Sequence, residues 1–436
     1  MAFNIETGEY MSRESFIEFL RDSPEYGTVD IGTADKPKRV SCGEPWWNYP
    51  MSCKITADRI VMEPTSLTEE EERAAWEGTP LHGTYNRWHI LKRDRVEPNM
   101  SATLVDIQIL TDHLLYISGY EPAAVDHFMN WLAQLYQFPQ YKLRTANFWY
   151  SRCNYVGKSM LIDLLKPVYG GEPLVTECEG SAVGGQFTSL LKDGILRLFN
   201  ELPASLDKAR FEVLKTLVSE KSRKSEDKGR DARIVKNTVN LILCTNHADA
   251  LPMAMGDPRF NVFRCDEPRK TDSYYKELAD WIAGPGPELL AGVLAQWKFP
   301  TDWNCTSGGR MAPQTTAAEM VQREARSPLV NFIEELITGQ QAPFDKDIGR
   351  SNQLIEQLGT SYPANTRSMK ITSQTLADAL RKLGAVKIGS GTAAKDNAWC
   401  WRYQSDWLGV RLKEWKAYLD NNAGRPFTVP EVVSDE

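Results

Sequence analysis

The strongest constraint on the fold lies in residues 146–171, ANFWYSRCNYVGKSMLIDLLKPVYGG. Ala146 to Tyr150 is a short apolar run of strand-like composition. It leads into a turn that ends Gly157-Lys158-Ser159. Beyond the turn, Met160, Leu161, Leu164, Leu165 and Val168 recur on one helical face, Pro167 falls one turn before the end, and Gly170-Gly171 stops the helix. Strand, turn and helix in this order aim the free N–H groups of a helix N-terminus at whatever sits over the turn.

That arrangement matches most of G-x-x-x-x-G-K-[ST], in which a lysine meets β/γ phosphates and a hydroxyl meets Mg2+. Gly157, Lys158 and Ser159 supply the end of the pattern, but the first glycine is replaced by Arg152. A G-K-S tripeptide alone is equally a turn before a core helix. The strand-loop-helix context favours a phosphate loop with an altered front.

Downstream the alternation continues. Residues 194–203, GILRLFNELP, read as a buried strand ending at Asn200-Glu201. A helix is expected from Leu206 to Glu220, with Phe211, Leu214 and Leu217 as its stripe. Residues 238–253, TVNLILCTNHADALPM, contain a second continuous apolar strand, ending at Thr245-Asn246. Strands alternating with helices imply an α/β fold with a parallel sheet covered on both faces. Ligands of such sheets bind at the carboxyl ends of the strands. Glu201 is there to polarise an attacking water, and Asn246 to hold that water or the terminal phosphate. A turn cap and a turn-forming Asn would read the same way singly. Arg259, a dozen residues after the second strand, reads as a surface ion pair or as an arginine finger reaching a neighbouring subunit, with Arg264 as the alternative.

The chain has 436 residues, 42% hydrophobic and 25% charged, enough for two or three domains. No apolar run approaches a membrane helix, and the N-terminus lacks a secretory pattern. Its eight cysteines show no C-x2-C spacing and read as reduced thiols of a cytoplasm-like compartment. The net charge is −7, yet residues 221–236, KSRKSEDKGRDARIVK, carry seven Lys/Arg against three acids. Residues 1–120 form an accessory region rich in Trp and Pro, in which Trp46 and Trp47 suit packing or base stacking. They leave no room for a primase domain. A core is expected over 121–300, beginning with a helix from Glu121 to Phe138. A linker follows over 301–327, then helices at Leu329–Ile337 and Ser373–Leu383 and a hairpin in a winged-helix-like domain over 328–420. A flexible tail covers 421–436.

The order of these features resembles the superfamily 3 helicases of viruses, phages and plasmids, which are AAA+ ATPases. Residues 130–134 (NWLAQ), the G-K-S helix, Gly185-Gln186-Phe187, the FNE strand, Lys228-Gly229, CTN and DPRF look like the helicase module of phage-type primase-helicases. The likeness covers about 120–300, with a looser match upstream at DRIVMEP and TYNRW. It implies an AAA+ P-loop ATPase core and a homo-oligomeric ring, usually hexameric, with ATP hydrolysed between subunits. ATP and Mg2+ would be the cofactors, with Gly157, Lys158, Ser159 and Asn200 binding nucleotide and Ser159 and Glu201 meeting Mg2+. Glu201, Asn246 and Arg259 would be catalytic. Lys228, Arg230 and Arg233 would sit on a pore hairpin that grips single-stranded or forked DNA. A separate primase or polymerase is an expected partner, and a membrane is not.

The sequence departs from the family at Arg152 and Tyr155, where relatives have glycine, and at Asn200, where many have Asp. A catalytically weakened ring acting as a DNA-binding scaffold or loader therefore stands as the alternative. A small-molecule kinase is a third reading, disfavoured by the basic insertion.

Overall fold

Trp149 and Phe148 point to opposite sides of one strand, and that alternation organises the first unit of the molecule. The computed structural model describes all residues except 1, 4–9, 34–35, 49–59, 80, 83, 184–190, 192, 226–232, 255, 326–327, 362–370, 389–397, 421–422 and 429–436. It divides into two units, Met1–Gln322 and Arg323–Glu436.

Five strands build the sheet of the first unit: β1 (Ala146–Ser151), β2 (Val175–Glu179), β3 (Leu196–Asn200), β4 (Asn240–Thr245) and β5 (Phe260–Cys265). They lie in the order β5-β1-β4-β3-β2, and every pairing is parallel. All residues of β1, β4 and β5 are buried. This is why their sequences are continuously apolar rather than alternating. Trp149, Leu198, Ile242, Cys244 and Phe263 face one core. Phe148, Phe199, Leu241, Leu243 and Val262 face the other.

Helices α1 (Gln108–Ser118), α2 (Pro122–Gln137) and α3 (Met160–Tyr169) cover the first face. They are joined there by α5 (Asp272–Ala283) and α6 (Gly286–Ala295), while α4 (Lys208–Ser219) covers the second. The α3 stripe of Leu161, Leu164, Leu165 and Val168 is buried as its spacing predicts, and the helix runs through Pro167 to a left-handed Gly170. The strand β2 and helices α1, α5 and α6 were not anticipated.

Residues 301–325 are not a free linker, and 326–327 lie outside the described residues. Trp303 is buried, and its indole N–H donates to Gln134 Oε1 at 2.7 Å. Gln134 also donates to the Cys305 carbonyl, and Arg310 pairs with Asp126 and Asp302. Helix α7 (Thr316–Glu324) then buries Ala318 and Val321 on the second face. Polar spacing hid these anchors, because each is a single aromatic or amide among turn residues. Asn130 and Gln134 of the NWLAQ stretch fasten this return segment, Asn130 Oδ1 accepting from the Trp297 indole at 3.0 Å.

In the N-terminal region, Trp46 and Trp47 pack with Phe16 at centroid distances of 4.9 and 5.6 Å. The two loosely matching stretches meet, Ile60–Val61 pairing in parallel with Tyr85–Asn86. Cys42, Cys153, Cys178, Cys244, Cys265, Cys305 and Cys400 are all free thiols. Among the described residues no helix is long and apolar enough to cross a membrane.

The second unit runs α8 (Pro328–Thr338), β6 (Ile348–Gly349), α9 (Ser351–Ser361), α10 (Ser373–Lys382), β7 (Val386–Ile388) and β8 (Ala398–Cys400). Its strands pair antiparallel in the order β6-β8-β7. The expected helices and hairpin are present, with β6 and α9 in addition. Two short helices follow, α11 (Gln404–Leu408) and α12 (Leu412–Asp420). Part of the expected flexible tail is anchored: Arg425 donates to the buried Asp347 at 2.6 and 3.0 Å, and Phe427 packs on Trp407.

A candidate nucleotide pocket at the carboxyl edge of the sheet

The loop between β1 and α3 is held from behind. Val156 is buried in the first core, and Gly157 has φ 88°. A Cβ at position 157 would sit 2.8 Å from the His113 ring and 3.2 Å from the Tyr275 ring. Only glycine fits there, on both conformation and space. His113 Nε2 donates to the Gly157 carbonyl at 3.3 Å, which leaves Nδ1 to accept from the Tyr274 hydroxyl at 3.0 Å. A neutral imidazole satisfies both bonds, and burial pushes the His113 pKa down to about 4. Sequence reasoning missed His113, since nothing local marks a residue 44 positions before the loop it supports.

Tyr155 adopts φ 60°, the left-handed conformation that a glycine takes without strain. The residue is 82% exposed, at the rim of the pocket. The loop thus keeps a glycine-like backbone at a position without glycine. Arg152 is exposed, and its N–H donates to the Cys265 carbonyl of β5 at 3.1 Å.

A pocket of about 240 Å³ opens above this loop, lined by Asn154, Tyr155, Val156, Gly157, Lys158, Ser159, Asn200, Glu201, Thr245 and Asn246. Six of the residues singled out in the sequence therefore meet: Gly157, Lys158, Ser159, Asn200, Glu201 and Asn246. They meet because β1, β3 and β4 are parallel and adjacent, so their carboxyl ends share an edge. Lys158 Nζ donates to Asn246 Oδ1 at 2.8 Å and to Ser151 Oγ, a residue that the sequence did not flag. Burial lowers the Lys158 pKa. Burial also raises the thiol of nearby Cys244 to about 12, an effect that Lys158 opposes. Ser159 caps α3 and is exposed; its carbonyl accepts from the Ile162 N–H at 3.1 Å, while its hydroxyl makes no hydrogen bond among the described residues.

Glu201 also holds a left-handed backbone, φ 54°. Gly180 lies so close that a Cβ there would come within 2.5 Å of the Glu201 carbonyl. The Leu202 N–H to Cys244 carbonyl bond and the Thr245 Oγ1–H to Leu202 carbonyl bond, both 2.9 Å, lock the end of β3 against that of β4. Asn200 Oδ1 accepts from the Glu201 N–H at 3.1 Å, and its Nδ2 donates to Glu177 Oε1 at 3.0 Å.

Arg259 lies elsewhere. Phe260 pairs with Ala146 and Cys265 with Ser151, so Arg259 precedes the amino end of β5, about 20 Å from the pocket at a rise of about 3.3 Å per residue. Its guanidinium is 3.6 Å from Asp257. Arg264 is buried, donates to Asp266 at 2.6 Å and lies over the Tyr150 ring. The basic insertion does form an antiparallel ribbon, Ser222–Ser225 with Arg233–Lys236. Arg233 starts its second strand, while Lys228 and Arg230 lie outside the described residues. Asn237 closes the ribbon's root, its N–H donating to the Lys221 carbonyl at 2.9 Å and its side chain to Leu217 and Glu220. β4 begins three residues later, so the ribbon springs from the amino edge, as Arg259 does.

Comparison with known proteins adds to this picture. Residues 151–260, from the end of β1 to the start of β5, match a family of unknown function, DUF5906. The chain is 26% identical over 284 residues to the DNA primase-polymerase of Nitratiruptor phage NrS-1, covering 62% of this chain and 39% of that protein. It thus spans about two fifths of the length of the curated relative that it matches. The apo structure of the NrS-1 C-terminal region superposes with a TM-score of 0.52 at 16% identity, over 87% of this chain and 94% of that one. The chain is therefore similar in sequence to a phage primase-polymerase and shares the mixed α/β fold, with its five-stranded parallel sheet, of that protein's C-terminal region.

Proposed function

We propose that this chain is an ATP-driven DNA helicase of the superfamily 3, AAA+ type, working in the replication of a phage or related mobile element. The observation that carries this is the convergence of Lys158, Ser159, Asn200, Glu201 and Asn246 on one pocket at the carboxyl edge of a parallel sheet. The N–H groups of α3 and the Lys158 ammonium hold the nucleotide phosphates. Glu201 accepts a hydrogen bond from the attacking water, and Asn246 hands its bond with Lys158 over to the terminal phosphate. Bound Mg2+ would neutralise phosphate charge, with the Ser159 hydroxyl and the Asn200–Glu201 end of β3 nearest to it. Among the described residues no three His, Cys, Asp or Glu side chains form a metal cage. That fits a hard cation held largely by phosphates and water.

In this reading Arg259 serves the pocket of a neighbouring subunit in a ring, the ribbon grips single-stranded DNA, and the second unit is a winged-helix-like accessory. Priming or polymerisation would be carried by a partner. ATP hydrolysis measured with and without single-stranded DNA tests the proposal. DNA-stimulated hydrolysis is expected, and Lys158→Ala should abolish both hydrolysis and nucleotide binding. Wild-type hydrolysis by Lys158→Ala would remove the pocket from consideration. One observation favours a weakened ring that loads or scaffolds: Asn200 brings no charge, and both of its polar atoms are engaged. Nucleotide binding and DNA binding without turnover would select that reading.

A further inference from the structure

Resting on the nucleotide-binding reading above, we propose that Glu177 supplies, from the neighbouring strand β2, the negative charge that position 200 lacks. The charge acts on the divalent cation that accompanies a nucleoside triphosphate. Glu177 is a positioning residue, acting through Asn200 and through the cation's water shell.

Glu177 pairs with Leu198 in the β2–β3 register, two residues before Asn200 on the same face. Asn200 joins two carboxylate residues in a line: its Nδ2 donates to Glu177 Oε1, and its Oδ1 accepts from the Glu201 N–H. Glu177 is exposed, and among the described residues its carboxylate has no other hydrogen bond, so it keeps acceptor capacity toward solvent. Glu179, the next acid on that face, turns instead to Ser181 at 3.5 Å. Glu177 and Lys158 both act electrostatically on the Cys244 thiol, in opposite senses, which sets the acid and the phosphate-loop lysine around the same point of the sheet.

The pair also explains why Asn stands at 200. An Asp there would put a second carboxylate about 3 Å from Glu177, and like charges that close disfavour each other. Glu177 with Asn200 carries one negative charge across a neutral amide, as one Asp beside a neutral partner would. The two arrangements are mirror images, and they should be exchangeable.

Binding of a fluorescent ATP analogue to the full chain, titrated with Mg2+, tests this. Glu177→Gln keeps an acceptor for Asn200 but removes the charge. We expect it to need about 10- to 100-fold more Mg2+ for the same binding, the range typical when an outer-shell partner of a metal is lost. Its binding without Mg2+ and its melting temperature should be unchanged. Asn200→Asp alone should bring no gain, because it adds a clashing charge. The double variant Glu177→Gln/Asn200→Asp, in which donor and acceptor are exchanged, should return the Mg2+ dependence toward wild type. If Glu177→Gln keeps wild-type Mg2+ dependence while Lys158→Ala abolishes binding, the Glu177 inference falls and the nucleotide reading stands. If Glu177→Gln weakens binding equally with and without Mg2+, the residue is merely structural. If Lys158→Ala leaves binding intact, the nucleotide reading itself falls, and this proposal with it.

Discussion

At the carboxyl edge of the sheet the polar groups answer one another within the chain: Lys158 is bonded to Ser151 and Asn246, and Asn200 to Glu177 and to the Glu201 backbone. The amino edge is arranged differently. There Arg259 reaches Asp257 only at 3.6 Å with a third of its side chain exposed, and the basic ribbon is tethered by Lys236 to Glu63 at 3.1 Å. One edge has the pre-organised character of a binding pocket, whose groups are aligned before a ligand arrives. The other carries cations that pair with acids of the same chain at longer range or nearer to solvent. In the proposed ring, a neighbour's nucleotide would compete with Asp257 for Arg259, and a DNA backbone would lie along the ribbon.

The sharpest way to break this contrast is Arg259→Ala. It should bind ATP normally and lose hydrolysis on the order of 10³-fold, as arginine fingers do. Mixed with Lys158→Ala protein it should regain activity, because an interface can then combine an intact Lys158 with an intact Arg259. A mixture as inactive as its parents, with co-assembly shown by cross-linking, would return Arg259 to its pairing with Asp257. Next in size is Lys228→Ala/Arg230→Ala. Basal hydrolysis should persist, since the ribbon is rooted on the edge away from the pocket. Single-stranded DNA affinity should fall, and the slope of log affinity against log salt should shrink by about 1.4 for two lost phosphate contacts. Normal strand unwinding by this variant would take both residues off the DNA path. The smallest expected change is Tyr155→Gly, which relieves a left-handed tyrosine worth roughly 1 kcal/mol. A rise in melting temperature and tighter nucleotide binding are expected in calorimetry. A fall in both would mean that the exposed ring makes a contact the nucleotide needs.

The pocket was largely legible in the sequence because its residues sit at the ends of continuous apolar strands. Strand direction alone then carries Ser159, Glu201 and Asn246 to a common edge. What was not legible came from pairings between distant segments. Glu177 sits on β2, a strand of only five residues with a mixed burial pattern. It gains meaning only through its register with β3. His113 supports the loop from another helix, and Trp303 is one buried aromatic in a polar stretch that otherwise reads as linker. The apparent damage at Tyr155 was visible as chemistry but not as geometry, since sequence shows a missing glycine and not whether the backbone conformation survives. Six of the expected site residues line one pocket, whereas Arg259 lies at the opposite end of the strands.

The resting hydrogen bonds of Lys158 set a threshold for what can enter. A ligand must draw the ammonium away from two neutral oxygen acceptors, and it succeeds to the extent that it offers charged ones, which add ionic attraction to bonds that the ammonium already strengthens. Burial that lowers the lysine's pKa makes it hungrier for negative charge than a surface lysine would be. In the proposed function, preference among nucleotides follows the count of phosphate charges at the loop, falling from triphosphate to monophosphate.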